Sequence, residues 1–270
     1  MNDLYGVGKR TEVADAIDQA AEEIALQGYA VLPPLFPADS LPSWRQKLDA
    51  VYARQEAEFG REALADIGEL DLCRAPLLYD RDFLTLAMHP TVLAVARRML
   101  GDWIVLHLQN GIINRPARRH HQASWHRDLP HQNWVITKPL AISAIVAIDD
   151  FSAVTGGTRL LPFTHKNETM PSKSYTERHA VDAQAPAGSV IMFDSMLFHQ
   201  AGDNRSANVR RAMNHVYSSP IIKQQYDFPR ALAAGGGLPA DTAKLLGFTS
   251  QVPLDDRAWR KSRVQKLSQS

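Results

Sequence analysis

Apolar residues in this chain recur with a helical period up to about Gly101. Beyond it they fall into short runs broken by Pro, Gly and Asn/Asp. That switch restricts the fold more than any single residue does, because it sets helices first and antiparallel strands second. Val13, Ile17, Ala20 and Ile24 predict a helix over about Thr11 to Gln27, with Gly28 placed as its cap. Tyr29-Ala30-Val31-Leu32 reads as a short strand stopped by Pro33-Pro34. A second helix follows Asp39-Ser40, with Leu41, Trp44, Leu48 and Val51 on one face, and a third covers about Pro90 to Leu100. Then Trp103 to Asn114, Leu140 to Ile148, Arg159 to Leu161, Ser189 to Phe193 and Val209 to Ser218 read as strands. Helix returns around Asp241 to Leu246, and Gly235-Gly236-Gly237 reads as a surface loop rather than a phosphate cradle. The expected fold is mainly β with flanking helices: a β-sandwich or a jelly roll, that is, a cupin-like double-stranded β-helix. It is expected as one domain, with a helical flank over about 1–101, a core over about 102–220 and a helical segment over about 221–270.

Composition narrows the function. The chain has 270 residues and a formal net charge of +1, which gives no reason to expect nucleic acid or an anionic membrane as a general partner. Cys73 is the only cysteine, so no disulfide forms within the chain. No basic-then-apolar leader opens the sequence and no apolar run reaches membrane length, which together predict a cytoplasmic protein.

The chemistry is carried by Trp125-His126-Arg127-Asp128-Leu129 and by His199. On an extended segment, residues two apart share a face, so His126 and Asp128 can reach one ion while Arg127 points away. Two ligands do not hold a metal. His199 supplies the third, because Gly188 to Phe193 reads as a buried strand running toward it. Two imidazoles and one carboxylate cover one face of a divalent ion and leave the other open, the ligand set of non-haem Fe(II) oxygenases. A dicarboxylic cosubstrate chelating that iron by one end needs a fixed cation at the other. Arg210 is the candidate and Arg211 its competitor, since alternation sends only one of the pair inward.

Other features are decoys. His126-Arg127-Asp128-Leu129-Pro130-His131-Gln132-Asn133 matches the protein-kinase catalytic loop letter for letter. Its context fails: Gly6-Val7-Gly8-Lys9-Arg10-Thr11 lacks the third glycine, and Asp149-Asp150-Phe151-Ser152 stands where D-F-G is required. His120-His121 reads as a solvated turn near the site's mouth, and His107, His131, His165 and His215 as structural. Arg257, Arg260, Lys261, Arg263 and Lys266 read as a solvated tail.

At these residues the chain resembles the phytanoyl-CoA dioxygenase family of Fe(II)/2-oxoglutarate oxygenases, which includes ectoine hydroxylase. The landmarks are Trp125 to Asp128, Gly156 to Lys166, Ala187 to Asp194 and His199 to Ser206, ending in Arg210, over a span from about Gly28 to Gly247. The resemblance implies Fe(II), 2-oxoglutarate and O₂ as partners. It also favours Arg210, which holds the family's offset of eleven residues from the distal histidine. It further implies a polar cosubstrate contact from the strand before the His-x-Asp motif, at Gln109. Two departures stand out. Pro162-Phe163-Thr164-His165 replaces Pro-Gly-Ser-His, and Ile113 stands where ectoine hydroxylase has a second polar contact. The implied reaction is hydroxylation of a small-molecule metabolite, with desaturation, epimerisation, cyclisation, or a cupin-like metal chemistry without 2-oxoglutarate as alternatives. Arg118, Arg119, Arg127 and Trp134 hint at a polar or anionic substrate.

Overall fold

The computed structural model describes residues 12–118, 120–232 and 237–267. The sequence start, Arg119 and most of the Gly235-Gly237 loop therefore lie outside the described residues. The described residues group into two compact units, one ending at Tyr226 and one beginning at Asp227. None of their helices is long and apolar enough to cross a membrane.

In the first unit the helices are α1 (Ala16–Gln27), α2 (Leu41–Phe59), α3 (Arg61–Asp66), α4 (Phe83–Ala87), α5 (Pro90–Leu100) and α6 (Lys173–His179). Its strands are β1 (Tyr29–Leu32), β2 (Leu72–Arg74), β3 (Val105–Asn114), β4 (Ala141–Ala147), β5 (Thr158–Leu160), β6 (Val181–Asp182), β7 (Val190–Asp194), β8 (His199–Ala201) and β9 (Arg210–Ser218). The second unit contains α7 (Phe228–Ala231), α8 (Ala240–Leu245) and α9 (Asp256–Leu267).

Six strands form the larger sheet in the order β1-β7-β4-β9-β3-β2, and three form the smaller in the order β6-β5-β8. Every strand pair is antiparallel. A one-residue bridge between His126 and His199 adds the Trp125 to Asp128 segment to the free edge of β8. Two facing antiparallel sheets with helices outside are the expected jelly roll. The flank is not purely helical, however. Residues 29–32 and 72–74 leave it to cap both edges of the larger sheet, which covers backbone groups that would otherwise be open.

Both faces of the larger sheet are covered, and β3, β4 and β7 are buried along their whole length. Between the sheets lie Ile112, Ile145, Phe151, Leu160, Phe193, Leu197 and Ala212. On the other face α2 sits so close to β3 that a Cβ at Gly111 would collide with Leu48. Arg211 reaches Asp49 of α2, and the Tyr217 hydroxyl donates to the Ala87 carbonyl of α4 at 2.7 Å. Double coverage explains why these strands read as continuous apolar runs rather than alternating ones.

Helix α1 starts at the Asp15 cap, whose carboxylate accepts from the backbone N–H groups of Ile17 and Asp18, about one turn later than periodicity suggests. It ends at Gly28 with φ 96°. A side chain there would be strained, and its Cβ would lie 2.6 Å from Leu197 and 2.7 Å from His165. Gly28 thus lets α1 turn into β1 directly beneath the loop that delivers His199.

Candidate active site

The two histidines are oriented by the same local device. His126 Nδ1 lies 2.8 Å from the Ser124 carbonyl, and His199 Nδ1 lies 3.0 Å from the Leu197 carbonyl. A carbonyl only accepts, so each Nδ1 carries a proton and each Nε2 is the nitrogen left for a metal. Reciprocal backbone bonds, His126 N to His199 O at 3.0 Å and His199 N to His126 O at 3.1 Å, bring the rings to a centroid separation of 4.3 Å. Asp128 is fixed by its own N–H donating to the Ser195 carbonyl at 3.1 Å. Its Oδ1 lies 3.6 Å from His199 Nε2. One ligand atom from each of His126, Asp128 and His199 lies within 4.8 Å of the others, so the expected triad converges on one point. The segment carrying His126 and Asp128 is not a full strand: it pairs only at His126 and bends at Asp128.

Electrostatics prepare the three for a cation. Burial and the adjacent His199 ring hold His126 down to about 4, so it is neutral at pH 7. Burial would lift the Asp128 carboxyl, but the two imidazoles and the Ser143 hydroxyl outweigh it and keep the group ionised well below the usual range. Burial opposes a charge on His199, yet Asp128 beside it wins and raises its pKa. A divalent ion would take the place of that proton.

His126, His199, Arg210, Asn214, Ile112 and Ile145 line a single cavity. Arg210 is 2% exposed. Its Nη2 donates to the Gly156 carbonyl at 2.7 Å and its guanidinium lies 4.5 Å over the Phe151 ring. Its Nε has no partner, and it makes no ion pair among the described residues. Burial lowers it to about 10, with Asp149 opposing, so it stays charged at neutral pH. Arg211 is engaged elsewhere: its guanidinium holds Asp49 at 2.8 Å and Asp149 at 3.3 Å on the helix-facing side. Alternation along β9 therefore sends Arg210 to the metal side and Arg211 away from it.

The expectation for Gln109 is corrected. Its register partner is His215, on the helix-facing side of β3, and it is fully occupied there. Its Oε1 accepts from Leu77 N, while its Nε2 donates to the Phe83 carbonyl and lies 3.0 Å from His215 Nε2. One residue along, Asn110 and Asn114 fall on the metal-facing side, as do their register partners Asn214 and Arg210. A one-residue shift reverses the face of every side chain on a strand.

The charged loop before the motif also differs from expectation. His120 is buried, its Nδ1 accepts from Gln122 N, and its ring lies 4.4 Å from the His121 ring at a tilt of 41°. Arg115 and Arg118 both bind the buried Asp71 carboxylate at 2.7 Å. Arg127 donates to the carbonyls of Met196, Asn167 and Glu168 and lies 3.9 Å over the Phe198 ring. These cations are taken up by the protein itself, so they lend no weight to an anionic substrate. Trp134 remains exposed. Two residues missed in the sequence, Ser143 and Asn214, bond to Asp128 Oδ2 at 2.6 and 3.4 Å. The available signal was polarity: each interrupts an apolar buried strand, where a polar group needs a partner.

The sequence signature of the family described as phytanoyl-CoA dioxygenase (PhyH) matches residues 24–212. The chain belongs to this family. A phytanoyl-CoA dioxygenase family member of this kind is a non-haem Fe(II)/2-oxoglutarate-dependent dioxygenase, and His126, Asp128 and His199 are its candidate metal site. The chain is similar to an uncharacterised protein of Mycobacterium tuberculosis (strain ATCC 25618 / H37Rv), at 35% identity over 94% of this chain and 98% of that protein. It is 24% identical to the ectoine dioxygenase of Stutzerimonas stutzeri (strain A1501), over 77% of this chain and 78% of that enzyme. Its fold matches EctD from S. alaskensis, solved with 2-oxoglutarate and 5-hydroxyectoine, with a TM-score of 0.64 at 21% identity over 78% and 79% of the two chains.

Proposed function

We propose that this dioxygenase hydroxylates a C–H bond of a small-molecule metabolite, with His126, Asp128 and His199 holding Fe(II) and Arg210 anchoring the far carboxylate of 2-oxoglutarate. The observation that carries the reading is Arg210: a buried guanidinium with an unpartnered N–H, in the same cavity as both imidazoles. A buried charge of this kind needs a counter-ion, and among the described residues Asp149 acts on it only from a distance, with no ion pair formed. Bound Fe(II) with 2-oxoglutarate and O₂ supplies the oxidising power, and the overall reaction turns 2-oxoglutarate into succinate and CO₂ while the substrate gains one oxygen atom. The chain's own residues do the rest. One ligand atom from each of His126, Asp128 and His199 lies within 4.8 Å of the others, a set that covers one side of an ion and leaves the opposite side open to cosubstrate and O₂. Arg210 fixes the direction in which a dicarboxylate lies, and Ile112 and Ile145 exclude water around it. Retention of Asp128 favours hydroxylation over halogenation, which needs that metal position for halide.

The test is anaerobic addition of Fe(II) and 2-oxoglutarate, read as the visible metal-to-ligand charge-transfer band. The band should form in the wild type and be lost in His126→Ala. Its absence from pure, folded wild type, or its persistence in His126→Ala, would defeat the assignment. A screen of candidate metabolites for stimulated succinate release, with product mass, then separates oxygen gain from desaturation, cyclisation or epimerisation.

A further inference from the structure

We infer that Ser143, backed by Ser195 and Asn214, is a positioning residue that holds Asp128 as a metal ligand through one oxygen only. The inference rests on the metal site proposed above and concerns how that site is kept open. Ser143 lies in β4 within Ala141-Ile142-Ser143-Ala144-Ile145-Val146-Ala147, and it is fully buried. A hydroxyl in such a place is costly unless paired. Its Oγ lies 2.6 Å from Asp128 Oδ2 and 2.8 Å from Ser195 Oγ. The ionised carboxylate can only accept, so the proton order is fixed: Ser195 donates to Ser143, and Ser143 donates to Asp128. Such a chain polarises along its length and strengthens the last bond.

Asn214, on the neighbouring strand β9, turns its Nδ2 toward the same Oδ2 at 3.4 Å. The backbone completes the clamp, because Asp128 N donates to the Ser195 carbonyl and Ser195 N donates to the Ala141 carbonyl. All the side-chain donors thus converge on Oδ2. Oδ1 is left facing His199 Nε2. A carboxylate saturated on one oxygen binds a metal with the other. Were both oxygens free, Asp128 could close on the ion through both and occupy a position that cosubstrate or O₂ requires. With Nδ2 committed to the carboxylate, Asn214 Oδ1 is a buried acceptor without a partner in the cavity lining.

The experiment measures Co(II) binding to the apoprotein by calorimetry and by the cobalt ligand-field spectrum, without turnover. Ser143→Ala is expected to weaken Co(II) binding about 10–100-fold and to alter the spectrum, while Ser195→Ala, one bond further back, weakens it less. A folded Ser143→Ala protein that keeps wild-type affinity and spectrum overturns the inference, since a packing role would lower only thermal stability. If Ser143→Ala does not fold, Ser195→Ala decides: a weaker affinity with an altered spectrum supports the clamp, and wild-type values overturn it. Wild-type protein that binds no Co(II) would remove the metal site itself, and this inference with it.

Discussion

Arg210→Met should make the apoprotein more stable while abolishing its response to cosubstrate. Burial lowers the guanidinium to about 10, and at roughly 1.4 kcal/mol per unit the drop from its ordinary value is about 3 kcal/mol of unfavourable charge burial in the apoprotein. Removing the side chain takes one of two donors from the Gly156 carbonyl, with Asn114 Nδ2 remaining at 3.2 Å, a loss of about 1 kcal/mol. It also removes the contact over Phe151, about 1 kcal/mol, part of which the methionine sulfur restores. The balance is roughly 1 kcal/mol in favour of the variant, a rise in Tm of about 2–4 °C for a chain of this size. Against that, binding loses at least one charge-assisted hydrogen bond and a buried counter-ion. At about 2–5 kcal/mol this amounts to roughly 30-fold to several thousand-fold in 2-oxoglutarate affinity. Thermal unfolding with Mn(II), with and without 2-oxoglutarate, reads both quantities in one titration. A variant that is less stable when empty and still shifts with 2-oxoglutarate would refute the reasoning, because Arg210 would then be a satisfied structural cation.

Three further outcomes are expected. Gln109→Leu leaves the Leu77 N–H and His215 Nε2 without their partner in the core and takes a second donor from the Phe83 carbonyl, so it should lower unfolding stability by about 2 kcal/mol or more. It should nonetheless leave 2-oxoglutarate affinity within about twofold by calorimetry, because the residue faces away from the metal. Acidification should destabilise the apoprotein. Burial holds His120 and His215 at about 3, far below the ordinary imidazole value of 6.5, so the unfolded chain takes up protons that the folded chain refuses. Stability is then complete above about 6.5 and falls with decreasing pH, by up to about 1.4 kcal/mol per pH unit for each ring until the folded values are reached. Urea midpoints that stay flat between pH 7 and 5 would contradict this. Chelation should lower Tm: a metal at about 100 times its Kd stabilises the fold by about 2.7 kcal/mol, and His199→Ala should abolish the EDTA-sensitive part.

The lesson of Gln109 shows where sequence stops. Periodicity and turn residues placed β3, β4, β7 and β9 to within two residues at either end, because burial and backbone geometry act locally. They did not say which way β3 faces. Both faces of that strand are buried, so no alternation marks the inside, and an offset carried from a resemblance landed one residue away. Short strands escaped for a similar reason: β2, β6 and β8 hold two or three residues each, too few to show a period, and exist because a longer neighbour offers its edge.

By itself the sequence determined the ligand types, their order and the scaffold class. His126, Asp128 and His199 have chemistry that is legible one residue at a time, and Arg210 was legible as one of two candidates. Tertiary structure alone decided the rest. It separated Arg210 from Arg211 by giving only one of them carboxylate partners, and it brought Ser143 of β4 and Asn214 of β9 onto one carboxylate oxygen, with Ser195 from the turn after β7 behind Ser143. Hydrogen bonds of that kind join residues between 15 and 86 positions apart, and no local pattern encodes a distance that only closure of the sheet creates.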